Sequence, residues 1–261
     1  MMRALSIAST GMSAQQMSVE VIANNLANVS TTGFKKSSWD FQDLIYQTIT
    51  APGTDTGLGA LPVGLQLGSG VRPVSVYRTF AQGDFEQTKN SLDLAVEGTG
   101  FFQVSLPDGS IAYTRAGSFK LDSEGSLVTS DGYPLLPDIS VPSDAQTINI
   151  SPNGVVSVVQ AGNSTPTQVG TLELARFTNP SGLDSKGKNI FQPTSASGEA
   201  VTGSPGQDGL GSILQGSLES SNVNIAEEMV DMIVAQRAYE LNSKAIQTAD
   251  DMMAMANNLK R

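Results

Sequence analysis

The chain has no cysteine and no histidine. Those absences exclude disulfides, thiolate and imidazole metal ligands, Ser-His-Asp and Cys-His catalysis, and every mechanism built on a residue that titrates near neutrality. Positive charge is scarce too: 15 Lys and Arg stand against 25 Asp and Glu in 261 residues, a net charge of −10, and no basic run is available to follow a phosphate backbone. No nucleic acid is expected as a partner. Long apolar runs are also missing. No stretch of about 20 apolar residues could span a bilayer, and residues 1–17 interleave Ser, Thr and Gln with the apolar positions, so no compact core of a cleavable signal is expected. If the chain leaves the cytosol, another route carries it.

What is present is sharply partitioned. All nine Met lie within 1–17 or 229–255, all twelve Pro between Pro52 and Pro205, and all nine Phe between Phe34 and Phe191. Gly occurs once before Gly33, at Gly11, and not after Gly216. Met suits helices and adaptable packing surfaces, whereas Pro and Gly break helices and punctuate turns. The order implied is helix, β-rich middle, helix, an α+β chain.

Leu5, Met12, Val19 and Leu26 repeat every seven residues, with Ala8, Ile22 and Val29 on the adjacent row and Gln15 its one polar interruption. That is the spacing of a coiled-coil seam. It predicts a helix over about residues 3–29, ending near Ser30-Thr31-Thr32-Gly33. Near the other end Ile225, Met232, Tyr239, Ile246 and Met253 recur at the same interval. A second set, Val234, Ala238, Leu241, Ala245, Met252, Met255 and Leu259, falls roughly opposite at about 100° per residue. A helix apolar on two sides must be buried on two sides, yet only one other long helix exists to cover it. One stripe would stand in water in a monomer. Asn222 or Asn224 suits the N-cap, with Glu227 and Glu228 well placed in the first turn. Two such helices bury too little on their own to offset the entropy of ordering them, so they are expected to be largely disordered in a free subunit and to order as copies pack.

From Val71 to Phe191 the pattern is of short strands. The clearest are Val71 to Phe80, Leu92 to Val96, Phe101 to Leu106, Ile111 to Arg115, Ser118 to Asp122, Leu127 to Thr129, Thr147 to Ile150, Val155 to Val159 and Thr171 to Phe177. Pro107-Asp108-Gly109, Ser123-Glu124-Gly125, Asp131-Gly132 and Pro152-Asn153-Gly154 read as the turns between them. A small antiparallel all-β domain, sandwich-like or an irregular barrel, is expected. Gln47 to Gly70 holds six Gly, two Pro and one charge, Asp55, with Leu58, Leu61, Val63, Leu65 and Leu67 alternating among them. A long extended ribbon lying on a neighbouring subunit accounts for that alternation better than a plain loop. Gln192 to Gly216 reads as a tether.

No active site emerges. Carboxylates are the only available acid–base groups, and Asp84/Glu86, Asp122/Glu124 and Asp93/Glu97 all fall beside Gly, Ser or Lys in turns or on strand faces, where solvated surface acids are expected. Gly98-Thr99-Gly100 leads into another strand, so the helix N-terminus that would hold a phosphate is missing. A membrane-lying helix would need a basic polar face, but residues 217–261 carry four basic against seven acidic side chains. No catalytic residue, cofactor, metal site or small-molecule substrate is expected.

ANNLANVSTTGFKK at Ala23 to Lys36 resembles the N-terminal signature of the flagellar rod and hook axial proteins, carried by Asn24, Asn25, Leu26, Ala27, Asn28, Gly33 and Phe34. Gly216 to Met253 resembles the C-terminal signature of the same family, with Gln236, Arg237 and Tyr239 at its centre. LAVEGTGFFQV at Leu94 to Val104 and TRAGSFKLDSEGSLVTSDGYPLL at Thr114 to Leu136 resemble its shared β domain. Within the family, the chain length and the extra Gly- and Leu-containing segment after the first helix resemble the distal rod branch. The resemblance implies a subunit of a rigid hollow tube in the basal body, crossing the periplasm as a drive shaft and exported by the flagellar type III apparatus without signal cleavage. It also implies homo-oligomerisation into a helical tube, proximal rod and hook subunits at its ends, and surrounding basal-body rings and a rod cap as partners. Residues 1–33 with 217–261 would then form an antiparallel coiled-coil inner domain, assembled through Leu5, Met12, Val19, Ile22, Leu26, Ile225, Met232, Val234, Tyr239, Leu241, Ile246, Met252 and Met253. Residues 34–70 with 192–216 would form the extended connection, with Leu58, Leu61, Val63, Leu65 and Leu67 stiffening the rod, and 71–191 the β-rich outer domain.

Overall fold

The computed structural model describes residues 2–53, 62–160 and 165–258. The architecture is α+β, with helix α1 over Met2–Ala27, helix α2 over Ile225–Asn258 and a succession of short strands between them. Two compact units result. The helical unit holds 1–27, 37–77 and 224–261; the β unit holds 28–36 and 78–223.

In the helical unit the helices run antiparallel. Asn25 Nδ2 donates to Glu228 Oε2 at 3.1 Å, while further along the pair, at the middle of α2, a Cβ on Gly11 would stand 3.1 Å from Asn242 Nδ2. A side chain at Gly11 would require the Asn242 amide to shift by a few tenths of an ångström. The line of contact within the chain differs from the expected row. Leu5, Met12, Val19 and Leu26 are half-buried, whereas the fully buried line of α1 is Ala8, Ala14, Ser18, Ile22 and Asn25. Apart from Ile22, that line is made of small or polar side chains, and the other large apolar ones flank it. α1 also stops at Ala27, two residues short of the expected end. Asn224 is the N-cap of α2: its Oδ1 accepts the Ala226 N–H at 3.0 Å.

The rest of the helical unit is a β ribbon. Ser37–Asp43 pairs with Val71–Arg78, and Gln47–Thr50 pairs antiparallel with Leu65–Leu67. The segment expected as a long extended ribbon on a neighbouring subunit is paired within its own chain where Gln47–Thr50 meets Leu65–Leu67. Its base meets α1, where the Val71 N–H points to Thr10 Oγ1 at 3.4 Å. Leu58 and Leu61 lie outside the described residues.

The β unit is built on one sheet, ordered Asp184–Gly187, Ile190–Gln192, Ile111–Thr114, Phe101–Ser105, Leu174–Arg176, Val201–Gly203, with Leu135–Leu136 also on Phe101–Ser105. A second, three-stranded sheet runs Ala145–Ile150, Val155–Gln160, Thr167–Thr171. The expected turns at Gly109, Gly125, Gly132 and Gly154 all have positive φ. Two expectations need correction. Thr171 to Phe177 is not one strand, because the chain changes sheet between Thr171 and Leu174. Gln192 to Gly216 is not a tether: Ser212–Gln215 pairs antiparallel with Leu94–Glu97 and buries Ile213. Its Gly and Ser content had hidden a strand that contributes only one buried aliphatic side chain. The core packs Leu94, Val96, Phe102, Val104, Phe119, Leu127, Leu135, Leu172, Leu174 and Ile213. Beside it Phe80, Phe101, Tyr113, Phe177 and Phe191 meet edge to face, with ring centroids 4.8–6.2 Å apart.

Candidate assembly surfaces

The largest apolar side chains of α2 are not the ones that face α1. Glu228, Ala235 and Ala249 are buried, with Met232, Ile246 and Met253 half-buried beside them. On the other side Val234 is 61% and Leu241 66% exposed, and Met252 and Met255 are exposed with them. Ile225 and Tyr239, expected on the first row, are also exposed, because that row drifts off the line of contact. An apolar row of this length in water is a surface waiting for another one.

The ribbon repeats the pattern in β form. Ile45, Tyr46, Ile49, Val63, Leu65, Leu67, Val74 and Val76 are all exposed. A two-stranded ribbon has no second layer to cover its faces, so it gains little apolar burial from its own chain.

Asn25 has a defined task. Its side chain donates to Ser37 O at 2.9 Å and accepts the Ser37 N–H at 2.9 Å while reaching Glu228, so one amide joins α1, the root of the ribbon and α2. Asn24 and Ala27 are exposed, and Asn28 is half-buried with its carbonyl accepting the Thr31 N–H at 3.1 Å. Gln236 is exposed, and Arg237 pairs with Glu240 at 2.8 Å in solvent. Gly33 has φ +69°, and a Cβ there would lie 2.6 Å from Ala116 N, so this position accepts only Gly. Phe34 is buried with the Arg78 guanidinium 5.1 Å from its ring centre.

Sequence reasoning missed a buried ionic cluster in the β unit. Glu219 receives Lys35 Nζ on Oε1 at 2.6 Å and Arg115 Nε on Oε2 at 2.6 Å. Arg115 spends its remaining donors on Gly100 O, on Val96 O at 3.0 Å and on Gly98 O at 2.6 Å, and Lys35 also reaches Ala81 O at 2.8 Å. Burial pulls Lys35 below the usual lysine range against the opposing pull of Glu219. Burial pushes Glu219 up, but Arg115 and Lys35 together outweigh it and hold the carboxyl below the usual range. The adjoining cavity of about 220 Å³ is lined by Phe80, Phe101 and Pro180 beside these two engaged cations. Nothing in the local sequence signals this cluster, since its members are 184 and 104 residues apart. Asp93, expected on the surface, is buried as well, accepting Thr88 Oγ1 at 2.7 Å and Asn90 Nδ2 at 2.9 Å. These acids are engaged by neighbouring side chains. Among the described residues no cluster of three or more acidic side chains could hold a metal ion, and no helix is long and apolar enough to cross a membrane.

Three family models match the chain: the flagella basal body rod protein model over residues 5–35, the flagellar hook protein FlgE/F/G D1 domain over 95–158, and the flagellar basal body rod FlgEFG protein C-terminal model over 214–259. The chain is 53% identical to the flagellar basal-body rod protein FlgG of Buchnera aphidicola subsp. Acyrthosiphon pisum over 260 residues, 99% of this chain and all of that one. It is also 53% identical over its full length to FlgG of Borreliella burgdorferi, and 41% identical to FlgG of Bacillus subtilis, again over the whole of both chains. The chain belongs to the flagellar basal-body rod protein family. It is a structural protein of the flagellar distal rod and not an enzyme. A rod protein of this family assembles with other components of the basal body.

Proposed function

We propose that the chain self-assembles into a rigid hollow helical tube that transmits motor torque across the periplasm to the hook. The observation that carries this reading is the exposed row Val234, Leu241, Met252 and Met255 on α2, opposite the side that packs on α1. α1 and α2 form an antiparallel coiled-coil inner layer, and this second row seals against neighbouring copies. A head-to-tail contact of this kind propagates instead of closing on itself. The ribbon of residues 47–70 braces adjacent copies through Val63, Leu65 and Leu67, together with Leu58 and Leu61, which makes the shaft straight and stiff.

Proximal rod and hook subunits adjoin the two ends, basal-body rings and a rod cap surround and extend the tube, and neither nucleic acid nor a small-molecule substrate takes part. Export proceeds through the flagellar type III apparatus without signal cleavage. Electron microscopy of basal bodies from cells lacking the gene tests the reading. A short proximal stub without a hook supports it, a complete rod lacking only the hook makes the chain a hook subunit, and normal basal bodies overturn it. Deleting residues 47–66 tests the brace separately: rods that remain straight and of parental length would count against it.

A further inference from the structure

The chain crosses between its two units four times, at 27/28, 36/37, 77/78 and 223/224. Within the β unit the residues adjoining all four crossings converge on the Glu219 cluster. After the first crossing, the Gly33 N–H donates to Glu219 O at 2.7 Å. Before the second, Lys35 is bound to the Glu219 carboxylate and the Lys36 N–H donates to Asn222 Oδ1 at 2.7 Å. After the third, Arg78 Nη1 donates to Lys35 O at 3.0 Å, the Thr79 N–H donates to Lys36 O at 2.9 Å, and Asn222 Nδ2 reaches Thr79 O at 2.9 Å and Ala81 O at 3.0 Å. The fourth crossing follows Glu219 and Asn222 directly.

We propose that Lys35, Arg115, Glu219 and Asn222 form one clamp that locks the four crossings into the β unit together, so that in the assembled rod torque enters this unit through the clamp and not through any single linker. The statement about torque rests on the rod reading; the clamp itself does not. Lys35 and Glu219 are each 1% exposed and Arg115 is 5% exposed, so Glu219 compensates two buried cations at once. Ordinary packing of apolar side chains could close these segments one at a time. A shared counter-charge cannot, because removing it strands both cations in a medium that solvates them poorly, and the hydrogen bonds around them are cooperative. Glu219 and Asn222 are positioning residues: they hold the ends of other segments.

Amide hydrogen exchange of the purified full-length chain tests the clamp. Glu219→Gln keeps the size of the side chain and removes its charge. The expected result is exchange faster by about 100-fold in residues 31–36, 78–83 and 217–223 alike, with Phe101–Ser105 and Val155–Gln160 within about 3-fold of the parent. Acceleration confined to 217–223, or spread evenly over the β unit, would overturn the proposal. Should Glu219→Gln fail to fold, Asn222→Ala removes three hydrogen bonds without stranding a charge, and a rise of about 10-fold across the same three segments is expected; a rise at 217–223 alone overturns it. In cells, Asn222→Ala is expected to leave swimming in dilute medium at the parental speed and to lower it by about half under viscous load, whereas an equal loss in both media contradicts the torque role. The exchange pattern on the purified chain judges the clamp even if basal-body imaging should overturn the rod reading.

Discussion

The two units solve the burial problem in opposite ways. The β unit hides its large side chains on one another, with Phe102, Phe119, Leu94 and Leu174 almost wholly out of water. The helical unit hides mainly small side chains, Ala8, Ala14, Ser18, Ala235 and Ala249 around Ile22, and leaves Ile233, Val234, Leu241 and Met255 in solvent. Since hydrophobic stabilisation scales with apolar area removed from water, the first unit gains more from its own chain than the second, which in the proposed rod is completed by other copies. Under the proposed rod assembly, the same sequence encodes a self-sufficient part and a part completed by other copies.

That contrast can be broken at graded strength. Phe102→Ala removes a fully buried ring that meets Phe119 edge to face at 5.1 Å, and is expected to cost about 3–5 kcal/mol in denaturant melts of the β unit, with no change in the helical content at a given concentration. Acid should act on the same unit. The folded carboxyl of Glu219 lies below its ordinary value of 4.5, so its stabilisation is complete above pH 4.5 and is lost as pH falls through the lower folded value. Melts in that window are expected to show the parent losing its advantage over Glu219→Gln. Gly33→Ala forces a Cβ against the Ala116 backbone at positive φ and is expected to cost roughly 2 kcal/mol. Asn224→Ala removes the cap of α2 at about 1 kcal/mol, read as reduced helicity of assembled material on heating. Smallest in the monomer is Leu241→Ala, within about 0.5 kcal/mol because the side chain is exposed, yet pelleting assays should show the largest loss of polymer.

Much of this was legible in the sequence. The segregation of Met from Pro, Gly and Phe gave the order of helix, strands and helix, and a seven-residue period located both helices. The four turn glycines marked hairpins because each occupies the left-handed region that other residues avoid. The second apolar row of α2 was visible as a row with no partner. The line of closest helix contact was not, since hydrophobic periodicity draws attention to Leu5 and Met12 while the buried positions include Ala14, Ser18 and Ala235. Ser212–Gln215 was hidden by low-complexity surroundings. The Glu219 cluster was invisible for a stricter reason: pairing between Lys35, Arg115 and Glu219 arises only when the sheet brings together segments more than a hundred residues apart, and no local pattern encodes it.

The central claim is that the helical unit takes its order from neighbouring copies while the β unit does not. Amide exchange on the dilute monomer and on polymer of the same chain measures it directly. The account predicts that Phe101–Ser105 is protected in both states, and that α1 and α2 exchange almost freely in the monomer and become protected in the polymer. Helices protected in the monomer to the level of the β core would contradict it.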